Sequence, residues 1–363
     1  MNPTPKVAHI VFSLTQSDLK NLISALVYKQ KEKGIEADII HIVPENQTSM
    51  VLKIRGIDIF TYTRSNGMNI RLMFKLSKFL RANHYNVVHT HSHEVAALAA
   101  AAAKLSGAKA IYSSHWITDS PVPALAKQLN NHIVTACEYI QTQMFGEGVP
   151  QNRKYKIIYD GIDEHMYMKS PGKESSKENR HKLGLREDSF IIGNIGPLIK
   201  EEDQATLIKA FKKLQSKGLD AELVFAGEGP LLNDLKKMSA NYDLVDHIKF
   251  VPQILSRAEY LQLFDVMVHT ANKETYPFNL LEAMASGTPV IATKIGANEE
   301  VIDERKTGYI VPCGFPERID SAIMRLNAIK TLPQEMGEHS REHIVKNFTI
   351  NLMAEKYQEL YTS

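Results

Sequence analysis

Cysteine is scarce in this sequence, since only Cys137 and Cys313 occur among 363 residues. The two lie far apart and lack the spacing of metal ligands. We therefore expect reduced, structural thiols, and the disulfide frameworks of small secreted domains are excluded.

Long apolar runs are also missing. The longest, Val95–Ala103, is much too short to span a bilayer. The N-terminus has no cationic lead before an apolar core, which argues against a signal peptide. We expect a cytoplasmic protein that is soluble or lies peripherally at the inner face of the membrane.

Net charge is small, at +2, and by itself does not suggest a nucleic-acid partner. The aromatic residues are dispersed and form no stacking platform for single strands, so we expect no nucleic acid. Basic residues outnumber acidic ones in the first half of the chain, and the reverse holds in the second half. The basic half would suit an anionic membrane surface or an acidic acceptor.

The chain alternates short β-branched runs with helical periodicity, which is typical of parallel α/β folds. Its length allows two domains, each with its own core. The predicted strands of the first half are Val7–Phe12, Ala37–Val43, Asn86–His91, Lys109–Ser113, His132–Ala136 and Lys156–Tyr159. Those of the second half are Phe190–Ile195, Ala221–Ala226, Ile248–Val251, Asp265–His269, Pro289–Thr293 and Gly308–Val311.

A polar stretch, Ser170–Lys182, separates the halves and is expected to be a linker or an exposed loop. Two α/β units joined in this way imply a cleft. Ligands of open α/β sheets bind beyond the carboxyl ends of the strands.

The most informative stretch is Thr270–Glu300, where a strand is followed by a loop and by a helix that should begin around Phe278–Asn279. Unpaired amides at such a helix start suit a phosphate, and Glu274 or Glu282 could bind the neighbouring hydroxyls of a ribose. The alternative is that both glutamates are ordinary first-turn acids that complement the helix dipole.

This stretch resembles the family 4 glycosyltransferases, which are retaining enzymes of the GT-B fold. Their motif has two glutamates eight residues apart, then Ala-Met and Gly-x-Pro-Val. It corresponds here to Glu274, Glu282, Ala283, Met284, Gly287, Pro289 and Val290. The match continues through Gly296–Glu299, Thr307-Gly308 and Val311-Pro312.

The resemblance implies two Rossmann-like β/α/β domains that face each other across a cleft. Residues 1–168 would form the acceptor domain and residues 185–345 the nucleotide-sugar donor domain. Residues 346–363, with the helix Leu352–Tyr361, would cross back to the first domain.

By the same resemblance, Glu282 would bind the ribose hydroxyls and Glu274 would face the transferred sugar. The implied donor-binding set is Gly196, Lys200, Gly227, Gly229, Tyr276, Pro277, Phe278, Asn279, Leu280 and Glu282. From the residues alone, the Gly227–Gly229 turn could equally serve close packing of strand and helix.

Histidines are prominent in the first half. His115 falls where family members place a histidine against the donor sugar, although such a residue is otherwise more often a core or turn histidine. His89, His91 and His93 alternate along the chain, but no carboxylate or cysteine completes a ligand set, so we expect no metal. Asp160 is expected to be structural.

Three departures from the family pattern matter. Ser13 and Leu14 stand where paired glycines are usual, Pro197 stands where an arginine is usual, and Glu202 stands where a lysine is usual. The leaving diphosphate gains negative charge, and a helix end supplies only about half a unit of positive charge. The candidates for a substitute cation are Lys200, Arg257 and Lys294.

The resemblance implies transfer of a hexose-type sugar from a UDP- or GDP-linked donor to a glycan, a lipid-linked acceptor or a small molecule. The proposed catalytic residues are His115 and Glu274, and no cofactor is expected beyond the donor substrate. A metal or an unusual donor is a further explanation of the departures. The alternatives are a degenerate member that binds a nucleotide sugar or a protein partner without catalysis, and a sugar-nucleotide epimerase.

The segment Arg71–Ala82 is a basic amphipathic helix. It could dock to an anionic membrane that carries a lipid-linked acceptor. The alternative, which the pattern favours, is a core-packing helix with a solvated charged face.

Overall fold

The structure is a computed structural model that describes residues 4–12, 17–44, 56–64, 69–117, 122–149, 154–168, 173–252, 256–273 and 276–363. The chain divides into two compact units. The first comprises Met1–Gly161 with Thr349–Ser363, and the second comprises Ile162–Phe348.

The first unit contains a parallel sheet whose described strands are β1 (Lys6–Phe12), β2 (Glu36–Pro44), β3 (Ile59–Arg64), β4 (Val87–Thr90), β5 (Lys109–Ser114), β6 (His132–Thr135) and β7 (Tyr155–Ile157). Its helices are α1 (Ser17–Glu32), α2 (Ile70–Ala82), α3 (Ala96–Ser106), α4 (Ala124–Leu129), α5 (Glu138–Phe145) and, from the carboxyl-terminal segment, α14 (Ile350–Thr362). The strand order is β3-β2-β1-β4-β5-β6-β7.

The second unit contains another parallel sheet with β8 (Phe190–Ile195), β9 (Ala221–Ala226), β10 (Ile248–Val251), β11 (Val266–His269), β12 (Val290–Thr293) and β13 (Gly308–Val311). Its helices are α6 (Lys173–Lys182), α7 (Gln204–Ser216), α8 (Leu232–Asn241), α9 (Arg257–Leu263), α10 (Phe278–Ala285), α11 (Asn298–Val301), α12 (Pro316–Ala328) and α13 (Leu332–Asn347). The strand order is β10-β9-β8-β11-β12-β13.

Both sheets reverse their strand order at one point, between β1 and β4 in the first unit and between β8 and β11 in the second. This is the doubly wound arrangement, in which the loops on either side of the reversal turn away from each other and leave a crevice. The carboxyl ends of β8 and β11 are therefore the expected ligand edge of the second unit.

The twelve predicted strands are all present, each within two residues of its predicted bounds. One strand was not predicted. β3 (IFTYTR) lies at the edge of its sheet and is only partly buried. Its apolar and polar residues alternate over too few positions to stand out, because an edge strand has only one packed face.

The prediction of a linker or loop over Ser170–Lys182 was wrong for its described part, because Lys173–Lys182 forms α6. Helix-favouring Glu and Lys residues make up much of the segment. Arg180 also anchors α6 to the second unit, since its guanidinium donates to the carbonyl oxygens of Glu187 and Ser189, each at 3.0 Å. These bonds help to hold a segment of polar residues against the rest of the second unit.

Apolar faces of the helices pack as their periodicity predicts. In α7, Leu207, Ile208, Phe211 and Leu214 are all fully buried in the core of the second unit. In α2, Leu72, Leu76 and Leu80 are buried in the core of the first unit. No helix in the described ranges is both long and apolar enough to cross a membrane.

Backbone and side-chain hydrogen bonds fix the loops at the carboxyl edge of the second sheet. The Leu198 amide donates to the carbonyl oxygen of Glu228 at 2.9 Å, which joins the loop after β8 to the loop after β9. The Thr270 hydroxyl donates to the carbonyl oxygen of Glu202 at 2.8 Å, which joins the loop after β11 to the same assembly. These loops form one connected surface.

Gly227 lets the loops after β8 and β9 approach closely, because a Cβ there would overlap the carbonyl oxygen of Gly196. At Gly196, by contrast, an added Cβ would lie 3.4 Å from the Glu202 carboxylate, which is an ordinary contact. We expect Gly227→Ala to destabilise the chain by about 3 kcal/mol, because a backbone atom must move.

The matched control is Gly196→Ala, which should cost less than about 1 kcal/mol. Urea-unfolding midpoints followed by circular dichroism measure both variants. Equal destabilisation by the two alanines would contradict the role assigned to Gly227.

Candidate functional site

The second unit brings most of the predicted donor-binding residues to the carboxyl edge of its sheet. Gly196 directly follows β8, and the turn from Gly227 to Gly229 directly follows β9. The helix α10 begins at Phe278, as predicted, after the loop that leaves β11. Glu274 and Thr275 of that loop lie outside the described residues, as do Ser13 and Leu14 of the first unit.

The first turn of α10 combines backbone amides with two aromatic rings. Pro277 is the residue before the helix and supplies no side-chain cap. The Leu280 amide donates to the side-chain oxygen of Asn279 at 2.9 Å. The rings of Tyr276 and Phe278 meet edge to face with centroids 5.1 Å apart, and Tyr276 is buried. The amides of Phe278 and Leu281 donate to the carbonyl oxygens of Tyr276 and Pro277, each at 3.1 Å, so an anion at this helix start would have to compete with these bonds.

Glu282 lies in α10 and is 9% exposed. Its two carboxylate oxygens have different partners. The Tyr167 hydroxyl donates to Oε1 at 2.8 Å, and Nε of Arg257 lies 2.8 Å from Oε2. Burial, together with the negative charge of Glu282, raises the pKa of the Tyr167 hydroxyl. Tyr167 therefore stays protonated and acts as a hydrogen-bond donor.

Pro197 and Glu202, the two residues of the loop after β8 that depart from the family pattern, have different surroundings. Pro197 is exposed. Glu202 is largely buried, and its Oε2 lies 3.7 Å from Nε2 of the buried His269, at the end of β11. The carboxylate thus faces a histidine rather than open solvent. This edge of the sheet carries an acidic group where the resemblance implies a basic one.

Three cations were predicted as substitutes, and they differ in their surroundings. Lys200 is exposed in the short 3-10 helix after β8. Lys294 pairs with Glu299 at 3.0 Å, and both side chains are more than half exposed. Within the described residues, Arg257 is the one of the three whose side chain contacts another predicted site residue, Glu282.

A cavity of about 820 Å³ opens elsewhere in the second unit. Phe190, Asp265 and Pro289 line it, and these residues stand at or just before the starts of β8, β11 and β12. The cavity therefore lies at the amino edge of the sheet. Ligands of doubly wound sheets bind at the opposite edge, so we place the candidate site at the loops after β8, β9 and β11.

In the first unit, His115 is buried and both of its ring nitrogens are engaged. Its Nδ1 lies 2.8 Å from the Asp160 carboxylate, and its Nε2 lies 3.0 Å from Nδ1 of His91. Asp160 is fully buried as well. The turn residue that was expected to be structural is thus the direct partner of the predicted catalytic histidine.

A chain of hydrogen-bonded side chains, here called the histidine row, runs from Asp160 and His115 through His91 and His9 to Gln30. Nε2 of His91 lies 2.8 Å from Nδ1 of His9, and Nε2 of His9 lies 2.7 Å from the amide oxygen of Gln30. Each neutral imidazole has one donor and one acceptor. Because the Gln30 oxygen only accepts, neutral His9, His91 and His115 each donate in that direction, so one more proton must lie between Nδ1 of His115 and Asp160.

This proton count gives the row one proton more than an ionised carboxylate and three neutral imidazoles would supply. Burial raises the pKa of the Asp160 carboxyl. Burial also lowers the pKa of His9 to about 4 and that of His91 well below its ordinary value. These directions keep the extra proton off His9 and His91 and place it on the pair formed by Asp160 and His115.

A second branch of this hydrogen-bond network links His89 to the two tyrosines of α14. His89 accepts or donates at both nitrogens, with Nδ1 2.8 Å from the Tyr361 hydroxyl and Nε2 2.7 Å from the Ser113 hydroxyl. The Tyr357 hydroxyl lies 2.9 Å from that of Ser113. The Gln30 amide donates to Tyr361 at 3.0 Å, which joins the two branches.

His9, His89 and His91 each offer a ring nitrogen within 4.8 Å of the others, which is a spacing that a metal ion could bridge. This differs from the predicted triplet, because His93 lies in the short 3-10 helix after β4. All six ring nitrogens of His9, His89 and His91 are within hydrogen-bond distance of neighbouring groups. The lone pairs that a metal needs are therefore engaged. The expectation of no metal stays a prediction.

Sequence reasoning missed Tyr167, His9, Gln30 and the two tyrosines of α14. Tyr167 lies 115 positions from Glu282 along the chain, and no spacing rule connects them. His9 carried a weak signal, because a histidine inside a strand of otherwise apolar residues needs a buried partner.

Two family models match the chain. Residues 21–165 match the model described as Glycosyltransferase Family 4. Residues 175–343 match the model described as Glycosyl transferases group 1. One match covers most of the first unit and the other covers most of the second.

Individual relatives agree with these models. The chain is 27% identical to N-acetyl-alpha-D-glucosaminyl L-malate synthase of Bacillus anthracis, over 81% of this chain and 78% of that protein. It is 23% identical to the UDP-Gal:alpha-D-GlcNAc-diphosphoundecaprenol alpha-1,3-galactosyltransferase of Escherichia coli, over 81% and 79%. The crystal structure of Anabaena HepE in complex with UDP superposes with a TM-score of 0.80 at 16% identity, over 98% of each chain. The fold is GT-B, with two Rossmann-like units.

The histidine row predicts a pH dependence of stability. The unfolded chain takes up protons on His9, His89 and His91 below about pH 6.5, whereas the folded chain resists them because burial lowers their pKa values. Stability is therefore lost as the pH falls from about 6.5, and His9 alone accounts for about 2 kcal/mol at pH 5. Asp160 acts in the opposite direction, because burial raises its pKa.

The chain's single tryptophan, Trp116, follows His115 in the first unit, and its fluorescence can report urea unfolding there. We expect the unfolding midpoint to fall between pH 8 and pH 5, and His9→Gln to flatten that slope. Exposed His84 provides the control, since His84→Asn should keep the wild-type slope. An unchanged slope in His9→Gln would refute the assignment.

Proposed function

Because the chain belongs to the family 4 glycosyltransferases, we propose that it moves a hexose-type sugar from a UDP- or GDP-linked donor with retention of anomeric configuration. The acceptor would be a glycan, a lipid-linked sugar or a small molecule. The observation that carries the proposal is the buried carboxylate of Glu282 in α10, beside the strand-order reversal of the second sheet.

The names of the relatives support this range of donors and acceptors. The Escherichia coli enzyme uses UDP-Gal and a lipid diphosphate acceptor, and Anabaena HepE binds UDP. The Bacillus anthracis enzyme is named for a product of L-malate, which is a small-molecule acceptor. We favour UDP-linked donors as the first to test.

The proposed chemistry is a displacement on one face of the sugar. The acceptor oxygen bonds to the anomeric carbon as the bond from that carbon to the phosphate oxygen breaks, and the hydroxyl proton moves to the departing phosphate. Glu274 would orient the sugar and stabilise its positive charge. His115 would contribute once one of its ring nitrogens leaves its present partner, His91 or Asp160.

Glu282→Ala tests the site. A carboxylate holding two ribose hydroxyls makes charge-assisted hydrogen bonds, so its loss should weaken UDP and GDP binding by about tenfold or more. Calorimetry measures this, with 2′,3′-dideoxy nucleotides as a second ligand set. The wild type should discriminate against the dideoxy forms, and the variant should not.

The control is Glu299→Ala, whose carboxylate is about half exposed in the same unit. It should bind nucleotides as the wild type does. Unchanged affinity in Glu282→Ala would remove Glu282 from the site, and nucleotide binding without donor hydrolysis or sugar transfer would count against catalysis.

We also propose that α2 contacts an anionic membrane. Its buried face packs in the core, yet Ile70 and Phe74 are 53% and 58% exposed one turn apart. The exposed cations beside them on α2 are Arg71, Lys75, Lys78 and Arg81. Apolar anchors flanked by cations suit the interface of a membrane with acidic lipids.

Phe74→Ser should weaken sedimentation with vesicles of phosphatidylglycerol and phosphatidylcholine by about tenfold, because the ring no longer enters the acyl boundary. Val345, 45% exposed on α13 of the second unit, supplies the control Val345→Ser. Equal vesicle binding by Phe74→Ser and the wild type would exclude α2 as the contact.

A further inference from the structure

The carboxylate that we assign to the ribose already has two partners. Tyr167 occupies one oxygen of Glu282 and Arg257 lies against the other, both at 2.8 Å. Each carboxylate oxygen can accept a second hydrogen bond, but Glu282 is only 9% exposed, so a diol reaches it most readily when these contacts open. Nucleotide binding at Glu282 is therefore a competition with groups of the same unit.

We propose that Arg257 is an exchange cation: it neutralises Glu282 in the empty site and transfers to the diphosphate when ribose hydroxyls take its place. The inference rests on the proposed function, because it presumes a nucleotide at Glu282. It goes beyond that function by naming the group that replaces the missing arginine and lysine.

The backbone at Arg257 is well placed to stay fixed during such an exchange. Arg257 is the first residue of α9, which begins with a capping box. The Ser256 amide donates to the Glu259 carboxylate at 2.8 Å, and the Glu259 amide donates to the Ser256 hydroxyl at 3.3 Å. Capping holds the start of the helix, so only the arginine side chain needs to move.

Charge balance gives the exchange its direction. Without a ligand, Arg257 offsets the buried charge of Glu282. With a ligand, the ribose hydroxyls would donate to Glu282, and the adjoining diphosphate would add negative charge at the sheet edge that also carries Glu202. A cation that follows the ligand lowers this repulsion, and the guanidinium fork of arginine matches phosphate oxygens in pairs.

The other candidates fit the role less well. Lys294 and its partner Glu299 are more than half exposed, and solvent screens such pairs. Lys200 is exposed too. The Arg257 side chain is 29% exposed, and that of Glu282 only 12%. Their attraction is therefore less screened.

The test compares uridine with UDP by calorimetry, and guanosine with GDP in parallel. The measured quantity is the gain in affinity that the diphosphate provides over the nucleoside alone. Arg257→Gln should lower this gain by about tenfold, while the nucleoside binds as well as in the wild type or better. Arg257→Met carries the same expectation and serves if the glutamine variant fails to fold.

Tyr167→Phe is the matched variant for the same carboxylate. It removes a competing donor without changing charge, so nucleoside and nucleoside diphosphate should gain affinity equally and the diphosphate gain should stay at its wild-type value. Arg318→Gln, at an exposed arginine of α12, controls for general loss of positive charge.

If the diphosphate gain is unchanged in Arg257→Gln, the inference is overturned. An equal rise in affinity for nucleoside and nucleoside diphosphate overturns it as well, because Arg257 would then only compete for Glu282 without binding the diphosphate. If the wild type binds neither nucleosides nor diphosphates, the proposed function itself fails. The two failures are thus distinguishable.

Discussion

The reversal of strand order in each parallel sheet is the constraint on which the rest of the structure depends. Parallel strands need crossover helices, and right-handed crossovers that run first to one side and then to the other must part at one point. In the second unit that point separates β8 from β11. The loops after these strands therefore carry Gly196, Glu202 and the approach to α10. In the first unit the same point places His9 beside His89 across neighbouring strands.

Glu282 shows why a motif residue cannot be understood from its motif alone. The resemblance assigns its carboxylate to a ribose, and the fold puts it at a suitable edge. The structure adds two internal partners that satisfy the carboxylate in the absence of a ligand. A buried anion without them would be costly, so the same contacts that stabilise the unit would set the threshold for the nucleotide binding that we propose.

Much of the fold was predictable because it depends on local pattern. Buried parallel strands are nearly continuous apolar runs, and β9 (AELVFA) is buried at every position. The start of α10 was predictable from the loop before it. The edge strand β3 and the polar helix α6 were not, since one has a single packed face and the other is held in part by Arg180, whose contacts include the carbonyl oxygen of Leu263, far along the chain.

The candidate site was predictable only in part, and the limit is again physical. Glycine turns and the glutamate of α10 belong to short segments whose spacing carries information. The pairing of Glu282 with Tyr167, or of His115 with Asp160, joins residues that only the folded chain brings together. Asp160 illustrates this best, because the sequence of the turn that contains it does not indicate that His115 is its partner.

Tyr357 and Tyr361 of α14 complete the buried polar network of the first unit, and Lys109 of β5 donates to the carbonyl oxygens of Leu360 and Tyr361. Segment 349–363, however, emerges from the ribosome only after all of the second unit. During synthesis the earlier part of the first unit must wait with His89, Ser113 and Gln30 lacking these hydroxyls. The second unit, being continuous in sequence, can therefore reach its native state before the first unit has all of its residues.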